Sequence, residues 1–132
     1  MKRDMDLIRS IILDVEGGKD WFETTSDDTA DALGITGSGL TQADADRLEY
    51  HLKLVEGAGL AEFTHAGEGW IPEGLTWAGH DFADTIRDDE IWRKTKEGAN
   101  AAKGFTVDLL VALAKGFVKK QLEDRTGISI DM

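Results

Sequence analysis

The residues of this sequence with the greatest capacity for chemistry lie near the start of a predicted helix. His80, Asp81 and Asp84 occupy positions i, i+1 and i+4, so His80 and Asp84 share a helical face and could bind a metal ion. Two ligands make an incomplete site, and Asp88 extends the same face without adding a second histidine. Acids in the first turns of a helix also stabilise its dipole. We therefore favour the dipole role, and we predict no metal, no cofactor and no catalytic residue.

The other histidines and the short motifs do not predict a catalytic site either. His51 lies between Tyr50 and Leu52, beside the apolar stripe of a predicted helix, which is typical of a partly buried packing histidine. His65 falls at a predicted loop tip with no partner near it in sequence. The sequence contains no nucleophile-elbow, Walker or dinucleotide-binding motif. It has no cysteine, which excludes a thiol nucleophile and cysteine-ligated zinc. We predict that the protein is not an enzyme.

Length and composition indicate one domain. The chain has 132 residues, of which 41% are hydrophobic, and this is enough for a single core. No apolar run reaches the ~18–20 residues that cross a bilayer. Asp4 and Asp6 lie where a signal peptide needs apolar residues. These features predict a cytoplasmic protein with no membrane partner.

The charge is distributed unevenly along the chain. Residues 1–92 carry 7 Lys and Arg against 21 Asp and Glu, a net of −14, whereas residues 93–132 carry 8 against 5, a net of +3. A chain of net charge −11 is repelled by nucleic acid and by anionic membranes unless its bases gather on one face. The excess of acids has a simpler explanation in solubility, and this alternative stays open here.

Apolar spacing and glycine turns predict the secondary structure. The predicted helices cover residues 4–16, 42–57 with Thr41 as N-cap, a segment that begins at Trp77, and 106–123. A β-hairpin is predicted over 60–76, with Pro72 marking an edge or a bulge. We expect residues 17–41 to form a loop with at most one short strand, at 21–22 or 32–35, and residues 98–104 to form a linker.

The order of these elements is typical of a winged helix-turn-helix domain in which one helix is reduced or missing. The segments Glu49–Phe63 (EYHLKLVEGAGLAEF) and Gly74–Phe82 (GLTWAGHDF) match the helix-to-strand and strand-to-helix junctions of such domains. We predict an α+β fold, mostly α, in which the hairpin is the wing. Residues 1–96 are expected to form the winged-helix-like domain, and residues 97–132 a C-terminal helical extension packed on the same core.

The sequence also resembles domain-of-unknown-function family 2513. The resemblance covers nearly the whole chain, is weakest in residues 17–41, and rests on these segments: MKRDMDLIR at 1–9, YHL at 50–52, AGL at 58–60, LTWAGHDF at 75–82, IRDD at 86–89 and WRKTK at 92–96. The family occurs in bacteria, phages and prophages, so the resemblance implies a small mobile-element protein of winged-helix type. It implies no activity.

Two functions follow from this reading. A winged helix ordinarily places its second helix in the major groove of DNA and its wing along the backbone. The first hypothesis is therefore a non-enzymatic regulatory or DNA-associated protein of phage or prophage type, with duplex DNA as the partner. The alternative is an acidic protein-interaction module, acting as a nucleic-acid mimic or as an inhibitor of a host defence complex, with a basic host protein as the partner.

The charges of the expected contact elements oppose DNA binding. Helix 42–57 carries two bases and four acids, and hairpin 60–76 carries three acids and no Lys or Arg, so both would repel phosphate. Under either hypothesis, the contact residues are expected to be Arg47, Glu49, Tyr50, Lys53, Glu68, Trp70 and Glu73.

Tryptophans and the last helix supply further expectations. Trp70, beside the Gly-rich hairpin tip, is predicted to be exposed as an anchor for a partner, with folding back onto Phe63 as the alternative. Trp77 and Trp92 are predicted to lie in the core.

The last helix is apolar on more than one side, because Leu109 and Leu113 widen its apolar stripe. Such a helix is either sandwiched in a core or used for self-association, which would give a homodimer.

Overall fold

The structure is a computed structural model that describes residues 1–67, 69–101 and 106–127. Within these ranges the chain is mostly helical. Its helices are α1 (Met5–Glu16), α2 (Asp27–Leu33), α3 (Gln42–Gly57), α4 (Trp77–Ile86), α5 (Asp89–Ala101) and α6 (Val107–Thr126). Its strands are β1 (Phe22–Glu23), β2 (Ala61–Ala66) and β3 (Gly69–Leu75). The fold is therefore α+β and mostly α, which confirms the predicted class.

The chain divides into two compact units, Met1–His80 and Asp81–Met132. We call them the N-terminal unit and the C-terminal unit. The predicted boundary between residues 96 and 97 falls inside α5, and the division into residues 1–96 and 97–132 stays a prediction. None of the helices in the described ranges is long and apolar enough to span a membrane.

Helices α1 and α3 form where the apolar spacing predicted them, and both begin at a polar cap. The Asp4 carboxylate accepts hydrogen bonds from the backbone N–H groups of Asp6 and Leu7 at the start of α1. The Thr41 hydroxyl accepts the Asp44 N–H at the start of α3. Residues three and four apart are buried along one side of each helix, namely Ile8, Ile11, Ile12 and Val15 on α1 and Ala45, Leu52 and Val55 on α3.

Helix α2 corrects the prediction of a loop over residues 17–41. The Ser26 side chain caps it by accepting the Thr29 N–H, and Gly34 ends it in the left-handed region at φ 71°. Ala30 is the residue of α2 that is fully buried, so the seven-residue helix has no apolar stripe by which sequence periodicity could reveal it. Of the two places offered for one short strand, 21–22 is the one that the structure supports, since β1 covers Phe22–Glu23, whereas residues 32–35 form no strand. The helix that was expected to be reduced or missing is reduced to seven residues.

A three-stranded antiparallel sheet contains the predicted hairpin, with the strands in the order β1-β3-β2. β1 pairs only with the start of β3, where Phe22 lies opposite Trp70. The pairing of β2 with β3 shifts between Glu62 and Phe63, which pair with Gly74 and Pro72. This is the bulge that Pro72 predicted. Proline has no N–H to donate to a neighbouring strand, and β3 tolerates it here because β1 pairs only with Gly69 and Trp70 and does not extend to Pro72.

Two of the three tryptophan predictions are wrong. Trp70 is only 3% exposed, because β3 is the central strand and its ring packs 4.0 Å from the His65 ring and 5.3 Å from the Phe63 ring, centroid to centroid. The alternative, in which Trp70 folds back onto Phe63, is therefore the one observed. Trp77 is 85% exposed at the first position of α4 rather than in the core. Trp92 is buried on α5, as predicted.

In the C-terminal unit, α5 and α6 pack against each other. The predicted linker 98–104 is wrong for residues 98–101, which continue α5, and residues 102–105 lie outside the described ranges. Gly98 allows the close approach, since a Cβ there would lie 3.3 Å from a methyl group of Leu113. Asp88 caps α5 by accepting the Ile91 N–H at 2.9 Å. The last helix is confirmed and continues to Thr126.

The LTWAG segment joins the sheet to α4 through one crowded contact. The Thr76 N–H donates to the Leu60 carbonyl at 3.0 Å, and the Thr76 hydroxyl accepts the Gly79 N–H at 3.1 Å. These bonds bring the first turn of α4 so close to Leu60, the residue before β2, that a Cβ on Gly79 would lie 1.8 Å from the Leu60 carbonyl oxygen. Residue 79 must therefore be glycine for α4 to start here.

We expect Gly79→Ala to lower the free energy of unfolding by about 3 kcal/mol, because the backbone must move to relieve the overlap. The measurement is urea denaturation followed by circular dichroism. Gly116→Ala is the matched control, since a Cβ on Gly116 in the middle of α6 meets nothing within 4 Å. It should stabilise the protein by about 0.5–1 kcal/mol, as alanine does inside a helix. Equal effects of the two substitutions would contradict the crowded contact at Gly79.

Candidate functional site

A cluster of polar side chains fixes the turn between α2 and α3. The Ser26 hydroxyl donates to Gln42 Oε1 at 2.6 Å, and the Thr29 hydroxyl donates to the same oxygen at 3.3 Å. The Asp27 N–H donates to the Leu40 carbonyl at 2.9 Å, while the Asp27 carboxylate accepts the Gly39 N–H at 2.8 Å. The two helices are thus held together at their N-terminal ends, and the surface that they share is positioned by the fold.

The segment that contains α2 and the start of α3 is acidic. Residues 27–46 contain no Lys or Arg, and Arg47 follows directly. They contain five exposed aspartates on these two helices, and we call this set the acidic α2–α3 face: Asp27, Asp28, Asp31, Asp44 and Asp46. A segment with this excess of negative charge attracts cationic groups rather than anionic ones.

Two exposed aliphatic side chains lie next to these aspartates in the chain. Leu33 at the end of α2 is 56% exposed, and Ile35 just beyond it is 52% exposed. An acidic surface that serves only for solubility has no need of neighbouring aliphatic groups. Apolar groups surrounded by charge are typical of protein contact sites, where they are buried at the centre.

The bases predicted as contact residues on α3 are already paired with acids. Arg47 forms an ion pair with the Asp4 carboxylate, and Lys53 lies 3.8 Å from Glu49 one helical turn away. The Tyr50 ring packs edge-on against His51, with centroids 5.5 Å apart. The bases on α3 therefore have less charge to offer a phosphate than the sequence suggests.

The predicted contact residues on the hairpin differ in their exposure to solvent. Trp70 is buried and is therefore removed from the set of surface anchors. Glu73 is exposed, and its carboxylate accepts a hydrogen bond from the Thr64 hydroxyl across the strands at 2.5 Å. Glu68 lies outside the described residues. Whether any of the seven predicted contact residues binds a partner stays a prediction.

Sequence reasoning also missed the role of Trp21 at the hairpin. A Cβ on Gly69 would overlap the Trp21 ring at 1.9 Å, so the indole lies directly on that glycine. Its Nε1–H donates to the Glu23 carboxylate at 3.2 Å, and the Thr25 N–H donates to the same group at 3.0 Å. Partial burial by itself raises the pKa of Glu23, but the hydrogen bonds that it accepts from Thr25 and Trp21 outweigh this and lower the pKa below its ordinary value.

His51 connects α1 to α3 and is almost fully buried, with 1% exposed. The Asp4 N–H donates to its Nε2 at 2.8 Å, and its Nδ1 lies 2.7 Å from the Arg47 carbonyl oxygen. Because Nε2 accepts a hydrogen bond, Nδ1 carries the proton and donates to that carbonyl. The prediction of a packing histidine is confirmed, but sequence gave no sign of the bond to Asp4, 47 residues away.

The candidate metal ligands do not assemble into a site in the described ranges. No group of three or more His, Cys, Asp or Glu side chains there could hold a metal ion. Asp84 forms an ion pair with Arg87 at 2.7 Å. His65, for which the sequence offered no neighbour, lies in β2 with its Nε2 3.0 Å from the Glu56 carboxylate. The dipole role predicted for the acids of α4 is wrong, because the helix begins at Trp77 and its first turn contains no acid, and the dipole effect falls off within that turn.

Comparison with known proteins gives the family. The family model described as "Hypothetical protein (DUF2513)" matches residues 2–106, which include every element except α6. The chain belongs to this family. It is 31% identical over 128 residues to a Haemophilus influenzae protein described as "Uncharacterized protein", and the match covers 92% of this chain and 99% of that relative. The resemblance to the family noted from the sequence is thereby confirmed. No solved structure matches the chain.

We expect His51→Phe to lower the free energy of unfolding by about 1–3 kcal/mol, because it leaves the Asp4 N–H without its acceptor at a part-buried position. The measurement is thermal and urea unfolding at neutral pH. Tyr50→Phe is the control, since it removes a neighbouring polar group from an exposed ring and should change stability by less than about 0.5 kcal/mol. Wild-type stability in His51→Phe would show that this hydrogen bond does not hold α1 to α3.

Proposed function

We propose that the N-terminal unit is a winged-helix domain. Its elements follow in the order α1-β1-α2-α3-β2-β3, in which a short strand precedes the helix pair and a hairpin follows it. The short first strand pairs with the last strand to give the sheet order β1-β3-β2. In this arrangement α3 takes the position of the helix that enters the major groove in DNA-binding members, and the β2-β3 hairpin takes that of the wing.

We infer that this domain acts by binding a protein, as a non-enzymatic regulatory module with an acidic contact surface. The observation that carries the inference is the acidic α2–α3 face, which has five exposed aspartates, no Lys or Arg, and Leu33 and Ile35 exposed beside them. Helix α3, which would contact phosphate in a DNA-binding winged helix, here begins with two exposed aspartates, Asp44 and Asp46. The partner of matching chemistry is a basic protein surface with an apolar recess.

The charge of the whole N-terminal unit favours the same partner. Residues 1–80 carry 6 Lys and Arg against 16 Asp and Glu, a net of −10. A protein gains affinity for duplex DNA chiefly by neutralising phosphates and releasing counterions, and a unit of this charge is repelled instead. A basic surface that normally holds nucleic acid, such as a channel in a host defence complex, is attracted to it. An origin in a phage or prophage stays a prediction that rests on the family resemblance.

The direct test is affinity capture from a lysate of the source bacterium with immobilised full-length protein, quantified by mass spectrometry. We expect Asp28→Asn/Asp31→Asn to reduce the captured amount of the specific partner at least about tenfold, because two of its charge contacts are lost. The control is Asp20→Asn/Glu62→Gln, which removes the same charge from exposed positions outside the acidic α2–α3 face. A protein captured equally by all three forms would contradict a role for this face.

A second candidate function is binding of duplex DNA, and the element order and strand order favour it. The two candidates differ in a measurement on purified protein, the fluorescence anisotropy of labelled mixed duplex at low and physiological salt. With the charge described above, we expect no binding at either salt concentration. Binding that weakens steeply with salt and is lost in Lys53→Glu would instead support the DNA hypothesis.

A further inference from the structure

A groove opens between α5 and α6, entirely within the C-terminal unit. Its volume is about 430 Å³, which is the size of sites that hold small organic ligands. Its apolar lining comes from Ile91 on α5, which is buried, and Phe117 on α6, which is half-buried. The remaining lining residues are polar or charged: Glu90, Lys94, Lys120, Gln121, Asp124 and Arg125.

The charges around the groove do not cancel. Glu90 and Lys94 form an ion pair at 3.3 Å and neutralise each other. Lys120 and Arg125 are both exposed, and neither has an ion-pair partner among the residues that the structure describes. Asp124 contributes one negative charge against these two cations. The groove therefore has an apolar base and a rim with one net positive charge.

We propose that this groove binds an amphiphilic monoanion, a carboxylate on a short apolar chain such as that of octanoate. The apolar body would lie on Ile91 and Phe117, where burial of each methylene group contributes favourably. The carboxylate would lie against Lys120 and Arg125. The guanidinium group of Arg125 can donate two parallel hydrogen bonds to the two carboxylate oxygens. The proposal uses no residue of the acidic α2–α3 face, so it stands or fails separately from the protein-binding function.

The lining distinguishes this ligand class from its neighbours. A dianionic phosphate ester would place its second charge near Asp124, where the rim offers no further net positive charge to balance it. A cationic amphiphile would be repelled by Lys120 and Arg125. A small anion without an apolar body would leave Ile91 and Phe117 uncovered and would gain only screened surface electrostatics.

The test is a titration of the ¹⁵N-labelled full-length protein followed by two-dimensional NMR, with three probes. Octanoate carries both the charge and the apolar body, acetate carries the charge alone, and octyltrimethylammonium carries the apolar body with the opposite charge. We expect saturable shifts of the amide signals of the groove residues with octanoate only. Shifts of the same size with acetate or with the cationic probe, or no saturable shift with octanoate, would overturn the proposal.

Charge-reversal variants locate the site. Lys120→Glu/Arg125→Glu should weaken octanoate binding at least about tenfold, because it removes both cationic contacts. Lys115→Glu is the control on the same helix and reverses one charge where the test variant reverses two. Lys115 is exposed but does not line the groove, so octanoate binding by this variant should equal that of wild type. The amide spectra also report whether each variant folds. Equal weakening in Lys115→Glu would mean that octanoate responds only to the overall charge of α6 and would overturn the assigned site.

Discussion

The hydrogen bond from the Asp4 N–H to Nε2 of His51 joins the first turn of α1 to the middle of α3. The same aspartate caps α1 with its carboxylate and pairs with Arg47. One residue thus starts a helix, fixes the tautomer of a buried histidine and neutralises a base on α3. Since these bonds position α1 against α3 across the apolar stripes of both helices, the side of α3 that faces solvent is decided here.

The arrangement also determines which charges of the N-terminal unit remain available to a partner. Arg47 is paired with Asp4, Lys53 with Glu49 and Lys19 with Asp14. Residues 27–46, which contain the aspartates of the acidic α2–α3 face, include no base, and Arg47, which follows Asp46, is paired with Asp4. The fold therefore uses acids to neutralise its few bases and still presents a surplus of acids. This surplus of acids is the basis of the proposal that the partner is a basic protein rather than DNA.

The two units carry different chemistry. The N-terminal unit has a net charge of −10, whereas residues 81–132 carry 9 Lys and Arg against 10 Asp and Glu. Ion pairs one helical turn apart use much of the charge on α5, such as Arg93 with Glu97 and Lys94 with Glu90. Lys120 and Arg125 at the rim of the groove take no part in these ion pairs.

Sequence alone determined the elements that have a strong local signal. α1, α3 and α6 show an apolar spacing of three and four residues, and Thr41 and Thr106 are recognisable as the N-caps of α3 and α6. The N-cap role of Asp4 at α1 appeared only in the structure. The hairpin and its bulge followed from the glycine tip and from Pro72. The acidic character of the contact elements and the family resemblance were also readable from the residues themselves.

The tertiary structure decided whatever depends on partners distant in sequence. α2 has a cap and a terminating glycine but no stripe, so its formation rests on the bonds from Ser26 and Thr29 to Gln42 on α3. Trp70 was predicted to be exposed and is buried, and Trp77 was predicted to be buried and is exposed. Burial depends on which strand is central and on where a helix begins, and the local sequence pattern determines neither. The packing of α5 against α6, and hence the groove between them, likewise appeared only in the structure. The groove is lined by residues of both helices, so the sequence pattern of either helix alone does not predict it.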